Sequence, residues 1–290
     1  MIEILKIFFY KLNNKFIFLI LKYLPFQFKY FFLPFPKHQF GLKPRKTKEY
    51  YINLFKKFKN IKYPKIDKFE KKFKKKIKKK FIDDLALATQ IVIKKKSKIN
   101  YQHGRILYAI LFDHIKKNKI KNINILETGT ARGFSSVCMS KAIIDSRIQG
   151  SITTIDIIPN NLNMYWNVIS DHTSSISRAK LLQKWSEEIK RIKFIQNWSY
   201  IFIRENRYSK IRYNFAFLDG AHNFKTVLNE FLFIRKNQKK NDLIFFDDVS
   251  DTFKEMIKFK NFLHLNFKEY EITLIKCDRE RSYMLAKKIN

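Results

Sequence analysis

Two short segments combine residue types that can do acid–base or metal chemistry. Asp219 is followed three residues later by His222, and Asp247 stands beside Asp248. Carboxylate oxygens are the ligands that Mg²⁺ prefers, and the ion keeps water positions that substrate oxygens can take. A histidine titrates near neutral pH and is therefore suited to remove the proton of a hydroxyl group. The three aspartates are candidate Mg²⁺ ligands, and His222 is the candidate base.

A glycine-containing turn follows an apolar run in the middle of the chain. Residues 123–135 read INILETGTARGFS, so Glu127 closes a predicted strand and Ser135 opens a predicted helix, with Gly129 and Gly133 between them. Glycines let the backbone approach a ligand closely, and a helix start offers unpaired N–H groups to an anion. The spacing differs from the G-x-G-x-x-G of dinucleotide-binding folds, which disfavours a nicotinamide enzyme. Taken alone, the segment also fits an ordinary strand–turn–helix corner.

These residues must be positioned by strands that alternate with helices. Predicted helices cover residues 82–94, 101–117, 135–144, 181–191 and 224–236, and predicted strands cover 123–127, 151–157, 193–195, 213–218, 243–246, 271–276 and 282–286. This alternation predicts an α/β fold with a doubly wound, mostly parallel seven-stranded sheet, in which the last two strands form a C-terminal antiparallel hairpin. The polar residues 160–180 are predicted to form a loop or lid with a short helix.

The ends of the predicted strands carry polar side chains. In open α/β sheets, ligands bind beyond the carboxyl ends of the strands, and here these ends offer Glu127, Asp156, Trp198, Ser199, Asp219, Asp247 and Asp248. Buried acids are costly unless they are paired, protonated or bound to a cation, so packing alone does not explain them. Asp156 lies 23 residues beyond Gly133, where an acid can accept hydrogen bonds from both hydroxyls of a ribose. We expect the acids to gather around one pocket, with the glycine turn as its floor.

Three motifs, in this order, resemble those of class I S-adenosylmethionine (SAM) methyltransferases. The turn E-x-G-x-x-x-G-x-S resembles motif I, most closely that of the catechol O-methyltransferase type. Residues 218–230, LDGAHNFKTVLNE, resemble a segment of the family that groups cephalosporin-hydroxylase-like proteins and macrolide-sugar O-methyltransferases. Residues 243–249, LIFFDDV, resemble the strand-five segment of the same family. The likeness covers roughly residues 100–290.

The resemblance implies a Mg²⁺-assisted, SAM-dependent O-methyltransferase that acts on a hydroxyl of a sugar or glycan-like small molecule. It implies that SAM is bound by the turn and the next two strand ends, namely by Glu127, Gly129, Thr130, Gly133, Ser135, Asp156, Trp198 and Ser199. It also implies that Asp219, Asp247 and Asp248 hold Mg²⁺ and that His222 is the catalytic base. Taken alone, His222 could equally be a surface histidine and the aspartate pair a loop cap.

The net charge of +35 is concentrated in the first 100 residues, which hold 28 Lys and Arg against 6 Asp and Glu. Such a segment can bind nucleic acid or anionic lipid, although an AT-rich coding sequence would produce the same composition. A nucleic-acid methyltransferase and a non-enzymatic basic membrane-surface module therefore stay open as alternatives. Against the first, no N-P-P-[YF] motif follows the fourth strand. We predict a basic, aromatic-rich helical extension over residues 1–95 and a methyltransferase domain over 96–290.

The extension carries several further expectations. Residues 4–34 are rich in Phe, Tyr, Leu and Lys, and are expected either to lie on an anionic bilayer or to pack on the main domain. No run of 18 uncharged apolar residues and no signal-peptide cleavage site is evident. Residues 35–80 are predicted to be a proline-broken connector that ends in a solvated lysine run, with phosphate or headgroup binding as the alternative. Cys138 and Cys277 lack metal-site spacing and indicate a reducing compartment, so we expect a cytoplasmic protein, with peripheral membrane contact left open.

Overall fold

The computed structural model describes residues 46–73, 75–93, 99–278 and 281–290. The expectation for residues 4–34 lies outside these residues, as does Lys74 of the lysine run. Within the described ranges, no helix combines the length and the apolar character needed to cross a membrane.

One mixed sheet of seven strands organises the described part of the chain. Its strands are β1 (Asn122–Thr128), β2 (Gln149–Asp156), β3 (Ile192–Gln196), β4 (Phe215–Leu218), β5 (Leu243–Phe246), β6 (Tyr270–Lys276) and β7 (Ser282–Lys288), in the spatial order β3-β2-β1-β4-β5-β7-β6. The first five strands run parallel, and β7 is antiparallel to both β5 and β6. This confirms the predicted doubly wound sheet with a C-terminal antiparallel hairpin. The strand order reverses between β1 and β4, which is where such sheets open a ligand crevice.

Helices cover both faces of the sheet. The described helices are α1 (Lys48–Lys59), α2 (Pro64–Lys72), α3 (Lys79–Thr89), α4 (Gln102–Lys117), α5 (Phe134–Asp145), α6 (Arg178–Leu181), α7 (Ser186–Ile189), α8 (Ser199–Glu205), α9 (Phe224–Arg235) and α10 (Lys254–Asn266). Strands β4 and β5, with the sequences FAFL and LIFF, are buried along their whole length because helices lie on both sides. Alternate residues of each strand therefore join different apolar clusters, one with α4 and α5 and the other with α9 and α10.

Several predicted elements differ from those observed. The predicted connector, where it is described, contains α1, α2 and the start of α3. Pro64 begins α2 rather than ending a helix, because the first helical position needs no N–H donor. The predicted helix over residues 181–191 is broken into the 3₁₀ turn Gln183–Trp185 and the short α7. Helices α8 and α10 were not predicted. Helix α2 packs on α4, where Arg105 donates to Glu70 Oε1 at 2.9 Å and to Asp67 Oδ1 at 2.6 Å. The domain boundary near residue 95 stays a prediction.

Candidate active site

A cavity of about 410 Å³ opens where the parallel strands end. Nine of the predicted site residues line it, namely Gly129, Thr130, Ser135, Asp156, Trp198, Ser199, Asp219, Asp247 and Asp248. The strand-end acids predicted to meet do so, with the exception of Glu127, which lies behind the cavity wall. Gly133 and His222 are also outside the lining, and their positions are described below.

The turn after β1 requires glycine at two positions. Gly129 has a φ of 89°, and a Cβ added there would lie 2.2 Å from the carbonyl oxygen of Asp219. The turn therefore packs backbone to backbone against the end of β4, which no side chain would allow. Gly133 caps the N-terminus of α5 with a φ of 85°, and a Cβ there would lie 2.6 Å from Leu182 Cδ1. Gly133 therefore lets the turn pack against Leu182, outside the cavity lining.

Glu127 is fully buried at the end of β1. Its two carboxylate oxygens accept hydrogen bonds from the hydroxyls of Ser135 and Ser136 in the first turn of α5. Burial raises the pKa of Glu127, and these two hydroxyl donors act in the opposite direction. The side chain therefore fixes the start of α5 against β1. A direct contact between Glu127 and a cofactor stays a prediction.

Asp156 connects the end of β2 to the glycine turn. Its Oδ2 accepts a hydrogen bond from Ala131 N at 2.6 Å, and its Oδ1 accepts one from Ile158 N at 2.8 Å. Each carboxylate oxygen keeps a further lone pair, so a ligand hydroxyl can still donate to it. Trp198 and Ser199 lie across the cavity at the start of α8. An acid and an indole ring therefore frame this end of the cavity.

The other end of the cavity is strongly acidic. His222 Nε2 lies 3.5 Å from Asp248 Oδ2 and 3.8 Å from Asp219 Oδ1, while its ring rests 5.0 Å from the ring of Phe253. Partial burial and the charges of the neighbouring aspartates raise the pKa of Asp219 well above its usual range. For Asp247, burial acts to raise the pKa, but the opposing effects, led by the positive charge of Arg281, lower it overall. The pKa values of these two neighbouring carboxyl groups are therefore shifted in opposite directions.

The cavity is also lined by three charged or titratable residues that the sequence analysis did not identify as site residues. Arg281, just before β7, forms an ion pair with Asp248, and its Nη2 lies 3.7 Å from Asp247 Oδ2. His103, in the first turn of α4, is buried and acts electrostatically on Asp247. Glu230 accepts a hydrogen bond from Thr128 Oγ1 at 3.2 Å, and burial raises the pKa of Glu230 to about 7. Only Glu230 gave a signal in the sequence, because it is a charged residue on the apolar face of α9.

The residues present do not fit the predicted Mg²⁺ site. Mg²⁺ requires oxygen ligands at about 2.1 Å in near-octahedral geometry. In the described part of the chain, no three acidic, histidine or cysteine side chains are arranged to hold a metal ion. The guanidinium of Arg281 is paired instead with Asp247 and Asp248. Two of the three predicted ligands are therefore already paired with the guanidinium of one arginine.

Comparisons with known proteins agree with this geometry. Residues 126–249 match a family model described as a methyltransferase domain, whereas no curated protein matches the sequence significantly. Similar solved structures include an O-methyltransferase of Bacillus cereus in complex with SAH (12% identity, 73% of this chain, 92% of that chain, TM-score 0.51). A second is TomG of Streptomyces achromogenes, involved in tomaymycin synthesis, in complex with SAM (15% identity, 72% and 89%, TM-score 0.51). A third is a protein of Klebsiella pneumoniae provisionally assigned as an O-methyltransferase (12% identity, 72% and 90%, TM-score 0.53). At these identities, the structures establish a shared fold.

Proposed function

We infer that this chain, which is a class I SAM-dependent methyltransferase, methylates a hydroxyl oxygen of a sugar or glycan-like small molecule. One observation supports oxygen as the atom that is methylated: a histidine lies beside two acids at one end of the cavity. A hydroxyl is a poor nucleophile until a base removes its proton, and an imidazole is suited to this. The sugar as acceptor class is supported by the resemblance of residues 218–230 to the macrolide-sugar enzymes.

The residues of the opposite end fit the cofactor. The missing Cβ of Gly129 lets the backbone come close to a ligand, and the free lone pairs of Asp156 can accept from ribose hydroxyls. Trp198 supplies an aromatic surface on which the adenine ring of the cofactor can stack. SAM, when bound, supplies a methyl group on a positively charged sulfur. We therefore assign cofactor binding to the end of the cavity framed by Asp156 and Trp198.

His222 is proposed to accept the acceptor's hydroxyl proton. The hydroxyl oxygen forms a bond to the methyl carbon while the carbon–sulfur bond breaks and leaves its electron pair on sulfur. The proton stays on the imidazole, where the carboxylate of Asp248 at 3.5 Å stabilises the positive charge until water removes the proton. Because His222 lies beside Asp219 and Asp248, which line the cavity, the acceptor hydroxyl is expected to bind at this end of it.

The test uses three histidine variants of the full chain. His222→Asn should lower turnover by ~10²–10⁴-fold, while the calorimetric affinity for SAH stays at the wild-type value. His264→Asn, on exposed α10, is the matched control and should behave as wild type. His103→Asn examines the histidine that lines the cavity. If His222→Asn keeps full turnover and His103→Asn loses it, the base is misassigned.

The acceptor class requires a separate experiment. Transfer of a labelled methyl group is measured against sugars, nucleotide sugars and glycans, with RNA and DNA in parallel because the charge of +35 favours a polyanion. A glycan product that contains one added methyl ether supports the proposal. Labelling confined to nucleic acid, with an apparent affinity that falls steeply with salt, would instead support a nucleic-acid methyltransferase that uses the same chemistry.

A further inference from the structure

The acidic end of the cavity already contains a fixed positive charge. Arg281 forms an ion pair with Asp248 through one terminal nitrogen, and its other terminal nitrogen lies 3.7 Å from Asp247. Only 17% of its side chain is exposed. An arginine is charged at every pH at which proteins fold, and its planar fork matches carboxylates in a way that a hydrated ion does not.

The fold holds Arg281 in this place. Strand β7 lies between β5 and β6, with Met284 paired to Phe246, and Val249 N donates to Ser282 O at 3.0 Å. This antiparallel register sets residue 281 beside the residues that follow β5. The carboxylate of Asp247 is itself held in place, because its Oδ1 accepts a hydrogen bond from Asp248 N at 2.7 Å. The pairing of β5 with β7 therefore brings the arginine and the acids together.

The charges at this end of the cavity explain why a cation is needed. Two ionised aspartates in a partly enclosed site are unfavourable unless a positive charge lies close to them. The guanidinium supplies that charge and occupies carboxylate oxygens that a metal would need as ligands. A divalent ion entering beside it would be repelled by the guanidinium and would have to displace it to reach both acids.

We propose that Arg281 takes the place of a divalent metal in this site, so that methyl transfer by this chain requires no metal ion. The proposal deepens the O-methyltransferase function and rests on it. Arg281 is a positioning residue, because it acts through Asp247 and Asp248. Its ion pairs hold these carboxylates in place beside His222.

The first experiment measures metal binding directly, with Mn²⁺ as the probe. Wild-type full chain should bind no Mn²⁺ below about millimolar concentration, as followed by electron paramagnetic resonance and calorimetry, because the guanidinium competes for the same oxygens. Arg281→Ala should bind Mn²⁺ at least ~10-fold more tightly than wild type. Arg235→Ala is the matched control, because it removes an arginine from a surface ion pair with Glu269 and should leave Mn²⁺ binding unchanged.

The second experiment measures turnover with and without metal. Wild-type turnover should be the same within about twofold in EDTA and in excess Mg²⁺. Arg281→Ala should lose about 10²–10³-fold in turnover, and Mg²⁺ or free guanidinium should restore part of it, whereas Arg281→Lys should keep more activity than the alanine variant. Thermal melting and SAH affinity establish that the variants are folded.

Wild-type chain that binds one Mn²⁺ tightly, or that loses turnover in EDTA and regains it with Mg²⁺, would overturn the proposal. This holds even if Arg281→Ala fails to fold, since both measurements use the wild type. If no hydroxyl acceptor is methylated, the proposed function fails, while the Mn²⁺ measurement still decides whether Arg281 excludes a metal.

Discussion

Replacing Gly129 by alanine tests the geometry on which the whole site depends. The added Cβ would lie 2.2 Å from the carbonyl oxygen of Asp219 and 2.8 Å from Gly220 N, both of which are backbone atoms. These atoms belong to the end of β4 and cannot rotate away, so either the turn or the strand end must move by about 1 Å. The φ of 89° adds a further cost, because an L-residue in the left-handed region loses about 1–2 kcal/mol.

Together these effects should lower the free energy of unfolding by about 3–5 kcal/mol, the range of severe single substitutions. For a chain of this size, that corresponds to a fall in Tm of about 5–8 °C. Affinity for SAH should fall at least ~10-fold, or about 1.4 kcal/mol, because the displaced turn forms the cavity floor.

Gly220→Ala provides the matched control for Gly129→Ala. A Cβ at Gly220 would meet the side chain of Thr128 at 3.3 Å, a tight contact that a small adjustment relieves. We expect a change of less than about 1 kcal/mol for this variant. Both variants are compared by thermal denaturation and by calorimetric titration with SAH. If Gly129→Ala melts and binds SAH as Gly220→Ala does, the turn does not pack on β4 as described.

Two other carboxylates give independent predictions. Burial raises the folded-state pKa of Glu230 from 4.5 to about 7, so the folded chain holds a proton that the unfolded chain has lost, and stability should fall as pH rises from 4.5 to 7. Glu230→Gln should remove up to about 3 kcal/mol of this fall, whereas Glu271→Gln on exposed β6 should keep the wild-type dependence of stability on pH. Urea unfolding at pH 5 and pH 8 measures the free energy of unfolding of both variants. If that free energy changes with pH in Glu230→Gln as it does in wild type, the carboxyl is not buried. Asp156→Asn replaces one acceptor oxygen by a donor, so it should lose a hydrogen bond from Ala131 N or Ile158 N worth about 1 kcal/mol. Its SAH affinity should fall at least ~10-fold in calorimetry, while exposed Asp251→Asn should bind as wild type.

The parts of the fold that were predictable are those encoded by local pattern. The run LIFF of β5 is apolar throughout because the strand is covered on both faces, and its end is marked at once by two aspartates. The turn after β1 is equally local, since its two glycines, four residues apart, both have a positive φ, which glycine adopts without steric cost. Adjacent parallel strands then bring their carboxyl ends to one edge, so the gathering of the acids follows from the order of elements.

The parts that were missed depend on long-range contacts or on mixed composition. Helix α10 contains Met256, Phe259 and Leu263 at helical spacing, but interspersed lysines and asparagines obscure the apolar face. Pro64 breaks a helix interior yet favours a helix start, and the sequence alone does not distinguish these positions. The meeting of Arg281 with Asp248 requires β7 to enter the sheet between β5 and β6, which no local pattern around either residue reveals.

The basic N-terminal part of the chain also contributes to the site, which changes how its charge is interpreted. Gln90 follows the last residue of α3 and lines the same cavity as Asp156 and Asp219. Helix α2 is attached to α4 through the Arg105 pairs, and α4 in turn carries His103 into the cavity. The described residues before residue 95 therefore contribute Gln90 to the lining of this cavity, while the division of the chain near residue 95 stays a prediction. Seven lysines of this region line a second cavity with Tyr101 and Arg105, and this cavity shares no lining residue with the one that contains Asp156 and Asp219. The positive charge of the described N-terminal helices is therefore placed apart from the candidate active site.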